Sequence, residues 1–181
     1  MSELDILVFS WINLGEAGAD RLLPLARFAS LELPGYVLAG TVCIVLAGRS
    51  PWREQALRAL AAMALAAVIA RFFKDLADVP RPFMLGIGHA WLPHAGSAGF
   101  PSSHSSVAFA FATCAALTPG AHSVARTAFF LLAALVAWSR VALGLHFPSD
   151  VCIGAVVGTM SALLVQWLGA RDLLSSLHLR R

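Results

Sequence analysis

The sequence predicts an all-α integral membrane bundle of five to six transmembrane helices. Of the 181 residues 59% are hydrophobic and only 13% charged, where an average soluble domain carries about 25% charged residues. The mean hydropathy is +0.76. The apolar content is spread over several runs rather than gathered at one end, so the membrane domain is expected to fill most of the chain.

A bilayer crossing needs roughly 20 mostly apolar residues. Residues 4 to 28 are apolar but interrupted by Asn13, Glu16, Asp20, Arg21 and Arg27. They read as an amphipathic interfacial helix, with a poor first span as the alternative. Five spans follow, from Leu33 to Gly48, Ala56 to Phe73, His104 to Leu117, Val124 to Leu143 and Val151 to Gly169. The organisation is then residues 1–30 as the N-terminal helix, 31–170 as the bundle and 171–181 as a basic cytoplasmic tail. The N-terminus lacks a basic region ahead of a clean apolar run, so it is expected to be retained rather than cleaved as a signal peptide.

Cys43, Cys114 and Cys152 lie inside apolar runs without CxxC or Cys/His spacing. This argues against a disulfide framework or zinc site and predicts small core residues. A net charge of +3 could suit nucleic acid, but that requires a clustered basic face. Here the basic residues fall at span ends, so no nucleic-acid partner is expected. Cytoplasmic loops are enriched in Lys and Arg, and Arg49, Arg53, Arg58, Arg126, Arg171, Arg180 and Arg181 all fall on one side if the five spans alternate. The other side holds the segment from Lys74 to Ser103 and the turn from Gly144 to Ser149.

On that second side three clusters place ionisable groups at span ends, where charge is costly unless paired or functional. The first runs from Lys74 to Pro82. A helix would put Lys74 and Arg81 two turns apart on one side, although Pro80 and Pro82 interrupt it. An ordinary basic span end is the alternative. The second, Phe100-Pro101-Ser102-Ser103-His104-Ser105-Ser106, reads as a capped helix N-terminus whose free N–H groups suit an anion. A histidine there can protonate a leaving oxygen, or be incidental to the cap. The third runs from Ser139 and Arg140 through His146 to Asp150. A carboxylate four residues after a histidine can hold one ring nitrogen and leave the other free. A structural Arg–Asp pair joining two spans is the alternative.

The ordered set K-x6-R-P at Lys74 to Pro82, P-S-x-H at Pro101 to His104 and S-R-x5-H-x3-D at Ser139 to Asp150 resembles the signature of the type-2 phosphatidic acid phosphatase superfamily. The second motif carries Ser103 where that family often has glycine. The Ile-Asn pair near the start and the segment Gly86-Ile-Gly-His-Ala-Trp-Leu-Pro-His94 are similar to the bacitracin-resistance type of bacterial undecaprenyl diphosphate phosphatase.

That resemblance implies a lipid phosphatase that uses no cofactor and no metal and takes its lipid phosphate from the membrane. His146 would be the nucleophile, forming a phosphohistidine; Asp150 would orient it; His104 would protonate the departing oxygen and then activate water. Lys74, Arg81 and Arg140, with Ser102 and Ser103, would bind the phosphate. Arginine can grip two phosphate oxygens and lysine only one point, so the two are not interchangeable. Asp75 and Asp78 are conceivable magnesium ligands, but a solvated loop accounts for them.

The implied reaction is hydrolysis of undecaprenyl diphosphate to its monophosphate in peptidoglycan precursor recycling, with the site facing out from the bacterial inner membrane. A phosphatidylglycerophosphate or phosphatidate phosphatase, a phosphotransferase to lipid A, and a lipid-binding scaffold without turnover are the competing readings. His89 and His94 receive no role.

Overall fold

The computed structural model describes residues 2–93 and 96–178, with the side chains of residues 17, 18, 20 and 172–178 left aside. His94, Arg180 and Arg181 lie outside the described residues. The described chain is helical, with no strand.

Helix α1 (Glu3–Ile12) starts at Ser2, whose hydroxyl accepts from the Asp5 N–H at 3.2 Å, the usual N-cap arrangement. Helix α2 (Glu16–Leu31) and helix α3 (Leu33–Ala47) follow with only Glu32 between them. The expected single helix over residues 4–28 is thus two, divided at Asn13 to Gly15. Asp5 on α1 is buried and bonds within the chain. The stretch apolar enough to cross a membrane begins at Arg21 and runs to Ala47, earlier than the expected start at Leu33.

Helix α4 (Trp52–Ala77) ends at Asp78 in a left-handed conformation and is followed by a 3-10 turn (Pro82–Leu85). Helix α5 (Ser103–Ala116), helix α6 (Ser123–Ala142) and helix α7 (Pro148–His178) complete the bundle. Four stretches are long and apolar enough to span: Arg21–Ala47, Trp52–Leu85, Ser123–Ala142 and Pro148–Arg171. The expected span at His104 to Leu117 is not among them. At 14 residues α5 is about 21 Å long at 1.5 Å per residue, short of the roughly 30 Å hydrocarbon core.

Helix α5 is the central helix, packed against α4, α6 and α7. The small-residue stripe on α7 makes this possible. A side chain at Gly154 would meet the Ser102 carbonyl at 2.7 Å, and one at Gly158 would meet the Ser106 carbonyl more closely still.

Most of the bundle's interior is built of alanine, at positions 59, 62, 66, 70, 110, 112, 133 and 162, whereas Leu38, Leu46, Val68, Phe72, Leu131, Val156 and Met160 face outward. Small residues inside let helix backbones approach, and large apolar ones outside suit a lipid solvent. The same inversion corrects the cysteines. Only Cys114 is buried; Cys43 and Cys152 are exposed, because an apolar run in a membrane is apolar on its lipid face too.

Candidate active site

The three motif-bearing span ends meet at one end of the bundle. α4 does not continue far enough to put Lys74 and Arg81 on one helical face; the left-handed residue Asp78 turns the chain and the loop after it brings them together. The Lys74 ammonium donates to the carbonyls of Ala98 and Gly99 at 3.2 and 3.3 Å. Arg81 donates from Nε to the Ser97 carbonyl at 2.8 Å and from Nη2 to the Ala98 carbonyl at 3.3 Å. Two cations therefore anchor one loop strand immediately before the second motif.

His146 follows a tight turn after α6. Gly144 takes φ +74 there, and a Cβ would collide with the His89 carbonyl, so only glycine fits. His146 and Asp150 are each 1% exposed. His146 Nδ1 lies 3.3 Å from Asp150 Oδ2, which also accepts the Phe147 N–H at 2.9 Å. On the other side of the ring, Arg81 Nη1 lies 3.0 Å from His146 Nε2 and also donates to the Leu145 carbonyl at 2.9 Å.

This pairing fixes the tautomer. A guanidinium has donors and no acceptor, so Nε2 must be the nitrogen with the lone pair and Nδ1 the one that carries hydrogen toward Asp150. The ring is held neutral: burial first, then the positive charges of Arg81, Arg140, Lys74 and His104, push its pKa well below the ordinary value. The result is a basic nitrogen, backed by a carboxylate and faced by a guanidinium.

Arg140 is 3% exposed. One of its nitrogens donates to the Ser30 hydroxyl through a short contact, and its Nε, also buried, has no partner among the described residues. A buried donor left open is costly, and an anion would satisfy it. Ser102 is engaged otherwise: its hydroxyl accepts from the Ser105 N–H at 3.4 Å and caps α5, and its N–H donates to the Asp150 carbonyl at 3.0 Å. That fixes the start of α5 against the start of α7, leaving the half-buried Ser103 and His104 in the first turn facing the site.

Asp75 pairs with Arg71 at 3.1 Å on the surface. Among the described residues no three His, Cys, Asp or Glu side chains come together as a metal site would need. His89 stacks on Trp91, whose indole N–H donates to the Leu14 carbonyl at 2.6 Å; these tie the loop that follows the 3-10 turn to the N-terminal segment.

Two cavities share His104. One, of about 310 Å³, is walled by Leu33, Val37, Val107, Phe111, Phe129 and Val136 among other apolar residues of α3, α4, α5 and α6, with His104 and Ser103 also on its wall. The other, of about 390 Å³, has Arg27, Leu31, Leu92, His104, Arg140 and Leu145 on its walls. An apolar channel and a cationic mouth thus converge on one imidazole.

Ser30, Asp5 and Asn13 were not expected near the site. Ser30 lies 110 residues from Arg140 and nothing local marks it. Asn13 did leave a trace, as a polar interruption of an apolar run.

The family model of the PAP2 superfamily matches residues 55–172. A protein of Escherichia coli (strain K12) named "Putative undecaprenyl-diphosphatase YbjG" is 31% identical over 92% of this chain and 83% of its own length. The bacitracin transport permease protein BcrC of Bacillus licheniformis is 28% identical over 98% of this chain and 85% of its own. Among solved structures, Aquifex aeolicus LpxE is 25% identical with a TM-score of 0.74, covering 91% of this chain and 96% of that one. A transmembrane PAP2-type phosphatidylglycerolphosphate phosphatase from Bacillus subtilis is 20% identical with a TM-score of 0.72, covering 93% and 85%; at that identity it speaks for the fold alone.

Proposed function

The chain belongs to the PAP2 superfamily and is a membrane lipid phosphatase; from that premise we propose that it hydrolyses a polyprenyl diphosphate of the undecaprenyl type to the monophosphate, through a phosphohistidine on His146. The observation that carries the mechanism is the Arg81–His146–Asp150 line, which presents a neutral Nε2 toward a cluster of cations.

In this reading a terminal phosphate enters between Lys74, Arg81 and Arg140. One of its oxygens draws Arg81 Nη1 away from Nε2. The freed lone pair attacks phosphorus, an N–P bond forms and the bridging P–O bond breaks, while His104 gives its proton to the leaving oxygen. Asp150 steadies the positive charge that develops on the ring. His104, now neutral, takes a proton from water; the hydroxide oxygen attacks phosphorus, the N–P bond breaks, and inorganic phosphate leaves. Phosphoryl transfer relies mainly on placement and charge compensation, and here three cationic side chains offer the charge.

Two features support a lipid diphosphate. The apolar cavity that ends at His104 suits a hydrocarbon tail. Arg27, exposed and without a hydrogen-bond or ion-pair partner among the described residues, lines the mouth beside His104 and Arg140, where the second phosphate of a diphosphate would follow the leaving oxygen. The E. coli relative named as an undecaprenyl-diphosphatase supports the same substrate.

Phosphate release by the detergent-purified protein tests this, against undecaprenyl diphosphate, phosphatidylglycerophosphate, phosphatidate and diacylglycerol diphosphate, with and without EDTA. We expect the polyprenyl diphosphate to have the highest kcat/KM and EDTA to leave the rate unchanged. Preference for a glycerolipid, or loss on chelation restored by magnesium, would overturn the substrate or the metal-free mechanism respectively.

The site is proposed to face outward from a bacterial inner membrane, because Arg49, Arg53 and Arg126 are exposed at turns remote from it along the helices and such turns favour the cytoplasm. Ser97 would be an obvious labelling position, but it bonds to Arg81. Gly96 is exposed, and an added Cβ there would come no closer than 4.0 Å to Met84. In a background without native cysteines, Gly96→Cys should react with an impermeant maleimide in intact spheroplasts and Ser123→Cys only after lysis. The reverse pattern would put the site in the cytoplasm.

A further inference from the structure

Helix α1 grips the turn that carries His146 at both of its ends. Asp5, Phe9 and Asn13 are spaced four residues apart and so share one face of the helix. Asp5 is 7% exposed, a position where a carboxylate is costly unless it is bonded. Its Oδ1 accepts the Ser149 N–H at 2.9 Å and its Oδ2 the Ser149 hydroxyl at 2.6 Å. Ser149 is the second residue of α7, and its N–H is among the first-turn donors that a helix cannot satisfy itself. Asp5 therefore caps α7 from 144 residues away.

One turn along α1, the Phe9 ring packs on Phe147 with centroids 5.4 Å apart. One turn further, Asn13 Nδ2 donates to the carbonyls of Ala142 at 3.1 Å and His89 at 3.0 Å. The Leu14 N–H donates to the same Ala142 carbonyl at 2.9 Å. The segment from Ala142 to Ser149 is thus held at its start, near its middle and at its end, with His146 between the fixed points.

We propose that Asp5 is a positioning residue for the phosphatase reaction: by fixing the first turn of α7 it holds the Asp150 carboxylate where it orients His146. The inference rests on the reading of His146 as nucleophile. It predicts an effect on the chemical step rather than on phosphate capture, since Lys74, Arg81 and Arg140 are held by other contacts.

The test compares wild type with Asp5→Ala, Asp5→Asn and Asp5→Glu. For Asp5→Ala we expect kcat about 30-fold lower with KM within about twofold, the kind of loss that small misplacement of a reacting group causes. Asp5→Asn keeps an oxygen for the Ser149 N–H and should retain kcat within about threefold. Asp5→Glu keeps the charge but lengthens the reach, and should lower kcat about tenfold. Vanadate, which bonds to the nucleophile, should inhibit Asp5→Ala at least about tenfold more weakly, while inhibition by inorganic phosphate changes less than about twofold.

Wild-type kcat in both Asp5→Ala and Asp5→Glu would overturn the proposal, as would equal losses in Asp5→Ala and Asp5→Asn, or equal weakening of vanadate and phosphate. If Asp5→Ala does not fold, Asp5→Glu against Asp5→Asn decides. If wild type releases no phosphate from lipid, the proposed activity fails, and direct binding of vanadate and of inorganic phosphate to wild type and Asp5→Ala, read by calorimetry, still decides the role of Asp5. Vanadate binding undiminished in His146→Ala would instead remove the nucleophile assignment on which the inference rests.

Discussion

His146→Ala is expected to lower kcat by about 10⁴-fold or more, because in the proposed mechanism it removes the atom that forms the covalent intermediate and no neighbouring group can replace it. The closest ionisable neighbours are Arg81, with no lone pair to offer, and Asp150, whose Oδ2 is directed to His146 Nδ1 and the Phe147 N–H. The fold should survive. Arg81 Nη1 keeps the Leu145 carbonyl and Asp150 keeps the Phe147 N–H, so the cost is on the order of 1–3 kcal/mol for partly unpaired groups. Phosphate release within tenfold of wild type, in a protein with a wild-type melting transition, would remove His146 from the mechanism.

The protonation state of His146 carries a related expectation. Burial and the surrounding cations push its pKa below the ordinary value, so the ring stays neutral as pH falls through about 6.5. Acid inhibition of phosphoenzyme formation that traces to His146 should therefore set in only below that pH. Titration of the His146 ring above that pH, followed by NMR, would contradict the structure's electrostatics.

What the sequence made legible was the set of span ends and not their mechanism of convergence. Lys74, Arg81, Arg140, His146 and Asp150 stand out because each is an ionisable group at the end of an apolar run, where a membrane makes such residues expensive. Their meeting depends on backbone features that periodicity does not report: the left-handed turn at Asp78, the glycine turn at Gly144, and carbonyls of residues 97–99 that serve as acceptors. The N-terminal segment misled by polarity. Asn13 reads as a polar interruption of an interfacial helix, yet it and Asp5 bond to the turn that carries His146, and their partners lie too far away in sequence for any local pattern to reveal.

Arg81→Lys should lower kcat/KM by about 10²–10³-fold, more than loss of one charge contact would suggest. The charge itself is conserved in this change. What is lost is geometry: Arg81 uses Nε, Nη1 and Nη2 at once, on Ser97, Ala98, Leu145 and His146. A lysine ammonium is a single point with three donors and cannot reach both the loop carbonyls and the ring nitrogen. Two consequences should separate in measurement. The loop at residues 97–99 loses one of its two cationic anchors, leaving Lys74, so KM should rise. His146 Nε2 loses the donor that fixes its tautomer, so the proton can settle on Nε2 in a fraction of molecules and block attack, which lowers kcat. Arg81→Ala, which removes charge and geometry together, should be no better than Arg81→Lys if geometry dominates. An Arg81→Lys enzyme within about threefold of wild type in kcat/KM would mean that a point charge suffices, and the part given to the Arg81–His146 contact would then be wrong.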